Sequence, residues 1–217
     1  INTVRIFNEK RVDELIVLNI DATINNRTPN MEMISDLASE CRMPLCYGGG
    51  VKTVDQIRQI IALGVEKISI SSAAIENSKI IKDGSNIVGN QSIVVTIDVR
   101  KIKKDFIVYT HNGKTNTGLN PIDLVEKFQQ YGAGEIMINY IDNDGIMEGY
   151  NFDLISKVVE VATVPITVIG GAGSLDDIKS LFGEFGLIGA CAGSLFVFKG
   201  VYRAVLINYP NRVEKDS

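Results

Sequence analysis

The 217 residues carry 22 Lys and Arg against 26 Asp and Glu, a net charge of 22 − 26 = −4, with 45% hydrophobic and 22% charged side chains. That is enough apolar material for one sizeable core, and it excludes a disordered or low-complexity chain. The acidity argues against a nucleic-acid-binding surface, because no basic cluster exceeds Arg100-Lys101-Ile102-Lys103-Lys104; no apolar run reaches the roughly 18–20 residues of a membrane helix. In chain order, short apolar runs at 15–20, 44–47, 67–71, 93–99, 135–139, 165–169 and 187–192 alternate with amphipathic stretches such as 53–63 and 121–131. Their continuous rather than alternating apolar character predicts strands of a parallel sheet covered on both faces. Asn120-Pro121 supplies a cap and a first-turn proline to the second helix. A hairpin, 106–110 followed by a turn at Asn112-Gly113, interrupts the pattern after Asp98. Cys41, Cys46 and Cys191 lack metal-site spacing and read as small core residues of a chain in a reducing cytoplasm.

The chain also aligns with itself. A displacement of 121 residues carries Glu14–Asp21 onto Glu135–Asp142, Asn30 onto Asn151, Pro44 onto Pro165, Gly49-Gly50 onto Gly170-Gly171, and Ile57 onto Ile178. A single-residue slip then brings Ser71-Ser72 onto Gly193-Ser194. An ungapped register of that length predicts a duplicated half-barrel, with residues 1–90 as the first half and 91–217 as the second, in one domain. The strand at 93–99 has no counterpart in the first half, and the register places its mate upstream of Ile1, where the chain opens within a helical pattern. The predicted architecture is therefore an α/β fold, a (βα)₈ barrel with two-fold internal repeat whose first strand is missing from this sequence; its site should lie at the C-terminal ends of the strands.

Several groups at those ends carry chemistry. Gly48-Gly49-Gly50 and Gly170-Gly171-Ala172-Gly173 each follow a strand and precede a helix. Such loops let backbone N–H groups and a helix N-terminus face an anion, although tight turns alone also call for glycine. With Ser71-Ser72 and Gly193-Ser194 they predict two phosphate cradles, one per half, suited to a substrate with a phosphate at each end. Asp98 closes an apolar strand, where an unpaired carboxylate is costly, and is the candidate acid or base. Asp144 and Gly145 follow the strand at 135–139, so that Asp144 either holds a sugar hydroxyl or caps its loop. Glu14, Lys67 and Glu135 stand at strand starts, as an ionic ring or as a stabilising salt-bridge layer. His111 reads as a loop residue facing the mouth. No metal cluster, nucleophile elbow or dinucleotide fingerprint is present, so no cofactor is expected.

These motifs resemble the cyclase subunit of imidazole glycerol phosphate synthase. The matching runs are DELIVLNIDAT, PLCYGGGVKTVDQI, GVEKISISSAAIEN, GNQSIVVTIDV, YTHNGKTNTG, GAGEIMINYIDNDG, VPITVIGGAGSLDDI and AGSLFVF, spread over most of the chain. The resemblance implies a glutaminase partner that releases ammonia into the barrel. It also implies a reaction that splits a two-phosphate ribonucleotide into imidazole glycerol phosphate and an aminoimidazole carboxamide ribonucleotide. It assigns Asp98 to catalysis with a second aspartate upstream, phosphate contacts to Gly50, Ser71, Ser72, Asp144, Gly145, Gly171, Gly193 and Ser194, and an ammonia gate to Glu14, Lys67 and Glu135. The chain departs from the family pattern at Asn19, where aspartate is usual and a mouth carboxylate is lost; Asn19 is a further catalytic candidate. Ser71, Tyr140 and Ile146 depart as well, and the ending KGVYRAVLINYP is similar to that of paralogues found with surface-polysaccharide genes. The expectation is such a paralogue, supplying ammonia to a sugar amidotransferase. The alternatives are a histidine-pathway cyclase and a sugar-phosphate isomerase on the same barrel.

Overall fold

The computed structural model describes residues 1–200 and 202–216; Val201, inside the 199–210 ending, lies outside the described residues. The first half runs α1 (Asn2–Lys10), β1 (Leu15–Leu18), α2 (Met31–Glu40), β2 (Leu45–Gly48), α3 (Val54–Ala62), β3 (Lys67–Ile70), α4 (Ser72–Glu76) and α5 (Lys79–Val88). The second continues with β4 (Ile93–Ile102), β5 (Asp105–Thr110), β6 (Thr115–Asn116), α6 (Pro121–Gln130), β7 (Glu135–Tyr140), α7 (Phe152–Val161), β8 (Ile166–Ile169), α8 (Leu175–Phe185) and β9 (Gly189–Ala190). The tail adds α9 (Ser194–Val197), β10 (Phe198–Lys199), β11 (Ala204–Val205) and α10 (Arg212–Asp216).

The wall is a sheet in the order β1-β2-β3-β4-β7-β8-β9 with every neighbouring pair parallel. β4 runs on past the predicted residue 99 because its distal half pairs antiparallel with β5, from Asp98↔Tyr109 to Ile102↔Asp105. That hairpin stands over the C-terminal mouth. The sheet is curled. β1 and β7 are four steps apart in strand order, roughly 19 Å across a flat sheet, yet Glu14 just before β1 and Glu135 on β7 both bond the single Lys67 amine of β3. Curling separates two apolar layers. Leu45, Tyr47, Ile68, Ile70, Ile97 and Ile138 join the helices in the outer core, while Cys46, Val94 and Met137 pack together inside with Ile16 and Ile169 against them. The alternation of strand side chains produces this division.

The repeat is visible in the caps. Asn30 Oδ1 accepts from Met33 N and Asn151 Oδ1 from Leu154 N, each at 3.0 Å. Thr53 with Gln56 and Ser174 with Asp177 form capping boxes on α3 and α8. All four pairs of positions differ by the same 121. Between β9 and β1 the described strands leave a slot, a cavity of about 630 Å³ lined by Leu15, Ile16, Ile178, Phe182, Ile188 and Phe196 among others. The tail ties the two sides of the slot together: the Tyr209 hydroxyl donates to Asp13 Oδ2 at 2.6 Å, and Lys215 Nζ bonds the same carboxylate.

The predicted strand at 187–192 is shorter than expected. Only Gly189 and Ala190 pair, with Thr167 and Val168; Leu187 is fully exposed. A strand bonded along one edge only, with glycine and alanine at its centre, has little side chain to hold its ends. All three cysteines are free, Cys46 buried and Cys41 and Cys191 half-buried.

Candidate active site

The C-terminal ends of β4 and β7 place Asp98 and Asn139 in register, and Asn139 Nδ2 donates to Asp98 Oδ1 at 2.9 Å. Burial pushes the Asp98 carboxyl above the usual aspartate range; the Asn139 donor offsets this in part, and the nearby Asp144 charge adds to it. Asn139 Oδ1 is itself buried without a hydrogen-bond partner among the described residues. A cavity of about 190 Å³ opens over this pair, lined by Asn19, Gly50, Ser71, Ser72, His111 and Asp144.

On the first-half side of the mouth, Ser71 Oγ is buried and has no hydrogen-bond partner among the described residues, while Ser72 Oγ accepts the His111 N–H at 3.1 Å. His111 and Asn112 adopt φ of 54° and 55°, turning the β5–β6 loop over the mouth; the His111 ring reaches Thr110 Oγ1 at 3.1 Å and Glu76 Oε1 at 3.6 Å. Facing it, Gly145 and Ser194 adjoin, since a Cβ built on Gly145 would meet Ser194 Oγ at 3.7 Å. Asp144 lines both the mouth cavity and the slot cavity, the latter together with Gly193. Asp142 does not enter the mouth with it and instead pairs with Arg100 at 3.3 Å.

The glycine doublets need their residue type for packing alone. A Cβ on Gly49 would stand 2.3 Å from the Asn19 carbonyl oxygen, and one on Gly171 would stand 2.1 Å from that of Gly149; φ is 103° and 127°. Four amides just ahead of the helices behind them are taken up by side chains. Lys52 N and Thr53 N bond Gln56 Oε1, while Gly173 N and Ser174 N bond Asp177 Oδ2. The capping boxes on α3 and α8 occupy these donors. Gly193 is different: a Cβ there would meet nothing within 4 Å, and its φ is −101°. Packing does not require glycine at that position.

At the other end of the lumen, Lys67 Nζ bonds Glu14 Oε2 at 3.0 Å and Glu135 Oε2 at 2.8 Å, and Thr167 Oγ1 donates to Glu135 Oε1 at 2.7 Å. Burial works against the ammonium, but the two carboxylates outweigh it and hold the Lys67 pKa above the ordinary lysine value. Between the two ends lie Cys46, Val94 and Met137, then a Ser69–Thr96 hydroxyl pair at 2.6 Å. Asn139, Ser69 and Thr96 did not stand out in the sequence; inward alternation on β3, β4 and β7 was the signal that would have found them.

Acid, hydroxyls and glycines gathered at the C-terminal mouth of a curled parallel sheet define a (βα)₈-barrel protein with its site at the strand ends. The chain belongs to the histidine biosynthesis protein family, whose model matches residues 1–203. It is 52% identical over 219 residues to "Putative imidazole glycerol phosphate synthase subunit HisF" of Leptospira interrogans, covering 100% of this chain and 86% of that protein. "Putative imidazole glycerol phosphate synthase subunit hisF3" of Vibrio vulnificus is 53% identical over 217 residues, 99% of this chain and 84% of that one. "Imidazole glycerol phosphate synthase subunit HisF" of Natranaerobius thermophilus is 37% identical over 203 residues, with 94% and 81% covered. The resemblance drawn from the motifs is thus borne out at the level of the family and its HisF-like members. Among the described residues, no helix is long and apolar enough to cross a membrane.

Proposed function

We propose that this chain is the cyclase-type barrel subunit of a two-component glutamine amidotransferase. A glutaminase docks at the Glu14, Lys67 and Glu135 face and releases ammonia there. Lys67, held between two carboxylates, closes the lumen, and its swing away admits a small neutral molecule. The substrate is a two-phosphate ribonucleotide laid across the mouth, one phosphate toward Gly50, Ser71 and Ser72, the other toward Gly145, Gly171, Gly193 and Ser194, with Asp144 near a sugar hydroxyl. Asp98, whose proton affinity burial raises, acts as acid or base, and Asn19 lines the same space. What supports this reading is that Asp98, Ser71 and Ser72 line the mouth cavity, that Gly145 adjoins Ser194, and that the Lys67 pairs with Glu14 and Glu135 lie at the strand starts. The test is turnover of that ribonucleotide with ammonium salts. The reading expects imidazole glycerol phosphate as a product and a loss on the order of 10²–10⁴-fold in Asp98→Asn; no turnover by the unaltered chain would refute it.

A second reading is favoured by Asn19 and by the 199–210 ending. In it the barrel docks the glutaminase and conducts ammonia without turning over the ribonucleotide itself, serving a sugar amidotransferase of surface-polysaccharide synthesis. Glutaminase stimulation by the barrel in the absence of any cyclase rate supports this reading against the first.

A further inference from the structure

The groups around the second seat carry a charge problem. Asp144, Gly145, Gly171, Gly193 and Ser194 include a carboxylate and no cation, and Asp144 already bears on Asp98 electrostatically. A phosphate placed there would meet negative charge with only neutral donors to hold it. The tail supplies what is lacking. Arg203, in the turn between β10 and β11, donates from Nη2 to the Gly145 carbonyl oxygen, and its guanidinium lies over the Phe198 ring at 5.6 Å from the centroid. The turn has Arg203 at φ 50° and is closed by Arg203 N bonding Gly200 O at 3.0 Å. A cation is therefore anchored on the same glycine that adjoins Ser194, and it comes from a segment outside the repeated βα units.

We infer that Arg203 is a phosphate-binding residue of the second seat, delivered by the β10–β11 hairpin to neutralise a phosphate monoester beside Asp144. The inference rests on the reading of Gly145, Gly193 and Ser194 as that seat. A planar guanidinium keeps donors for a second partner while one edge is tied to a carbonyl, which a lysine amine does less well. The ring beneath it fixes its plane and lowers the cost of ordering the side chain.

The test is titration of the ¹⁵N-labelled chain with inorganic phosphate at constant ionic strength, following the amides of Gly145, Gly193 and Ser194. Saturable shifts of these amides are expected, with affinity falling about tenfold or more in Arg203→Met, the loss of one charge-assisted contact, and recovering only in part in Arg203→Lys. Arg203 is exposed, so both variants should fold. If Arg203→Met binds phosphate at the same amides within twofold of the unaltered chain, the arginine is only a loop tie and the inference fails while the seat stands. If the unaltered chain shows no shift at these amides, the seat fails and Arg203 with it.

Discussion

At the scale of single residues, Asp98 works against the fold that holds it. Its pKa is raised in the folded chain, chiefly by burial, so above the ordinary aspartate value near 3.9 the unfolded chain gives up its proton more readily than the folded one. The contribution of Asp98 to stability is therefore most favourable at low pH and is lost as pH rises from about 4 through the raised value. Replacing it by the neutral isostere keeps the acceptor for Asn139 and removes that cost. Asp98→Asn should be more stable than the unaltered chain at pH 7, by roughly 1 kcal/mol as is common when a functional group is relieved, with the difference vanishing near pH 4 in denaturant titrations. Gly193 makes the complementary case. With nothing within 4 Å of a built Cβ and a negative φ, Gly193→Ala should leave stability within about 0.5 kcal/mol but weaken phosphate binding at the second seat. A stability loss equal to the binding loss would make Gly193 a packing residue instead. Asp98 was legible in the sequence because a carboxylate ending an apolar run has few inexpensive explanations. Asn139 and Arg203 were not, because each matters through a contact across the fold, with Asp98 in one case and with the Gly145 carbonyl in the other.

At the scale of elements, the duplicated register sets how the units are built. Asn30 and Asn151 cap equivalent helices with the same 3.0 Å bond to the N3 backbone amide. Asn30→Ala and Asn151→Ala should each cost about 1 kcal/mol in thermal or denaturant unfolding, and the double variant should cost their sum, since the sites share no partner. The helices around 53–63 and 121–131 were readable because their caps, Thr53 and Asn120, and their apolar spacing agree. β9 was over-read, since six apolar residues do not make six paired ones when a strand has one neighbour. The tail was unreadable for a different reason: its two-residue strands β10 and β11 are too short for any periodicity, and its position depends on Tyr209 and Lys215 meeting Asp13.

At the scale of the whole molecule, the lumen joins an ionic end to an acid end. Lys67→Met would leave Glu14 and Glu135 facing one another, and with the three side chains only partly screened the loss should be about 1–3 kcal/mol. Because the Lys67 pKa is raised, the stability it adds is fully present below the ordinary lysine value near 10.4 and is lost as pH rises through the raised one. The gap between Lys67→Met and the unaltered chain should accordingly stay constant through neutral pH and close only in strong alkali. The paired seats are the larger claim, since they make the mouth a site for one ligand with two anionic ends. Calorimetric titration without ammonia, comparing the two-phosphate ribonucleotide with the aminoimidazole carboxamide ribonucleotide that carries one phosphate, addresses it most directly. One two-phosphate molecule per chain is expected, bound at least about a hundredfold more tightly because its second phosphate engages intramolecularly. Equal affinities, or two molecules of the two-phosphate ribonucleotide per chain, would contradict it.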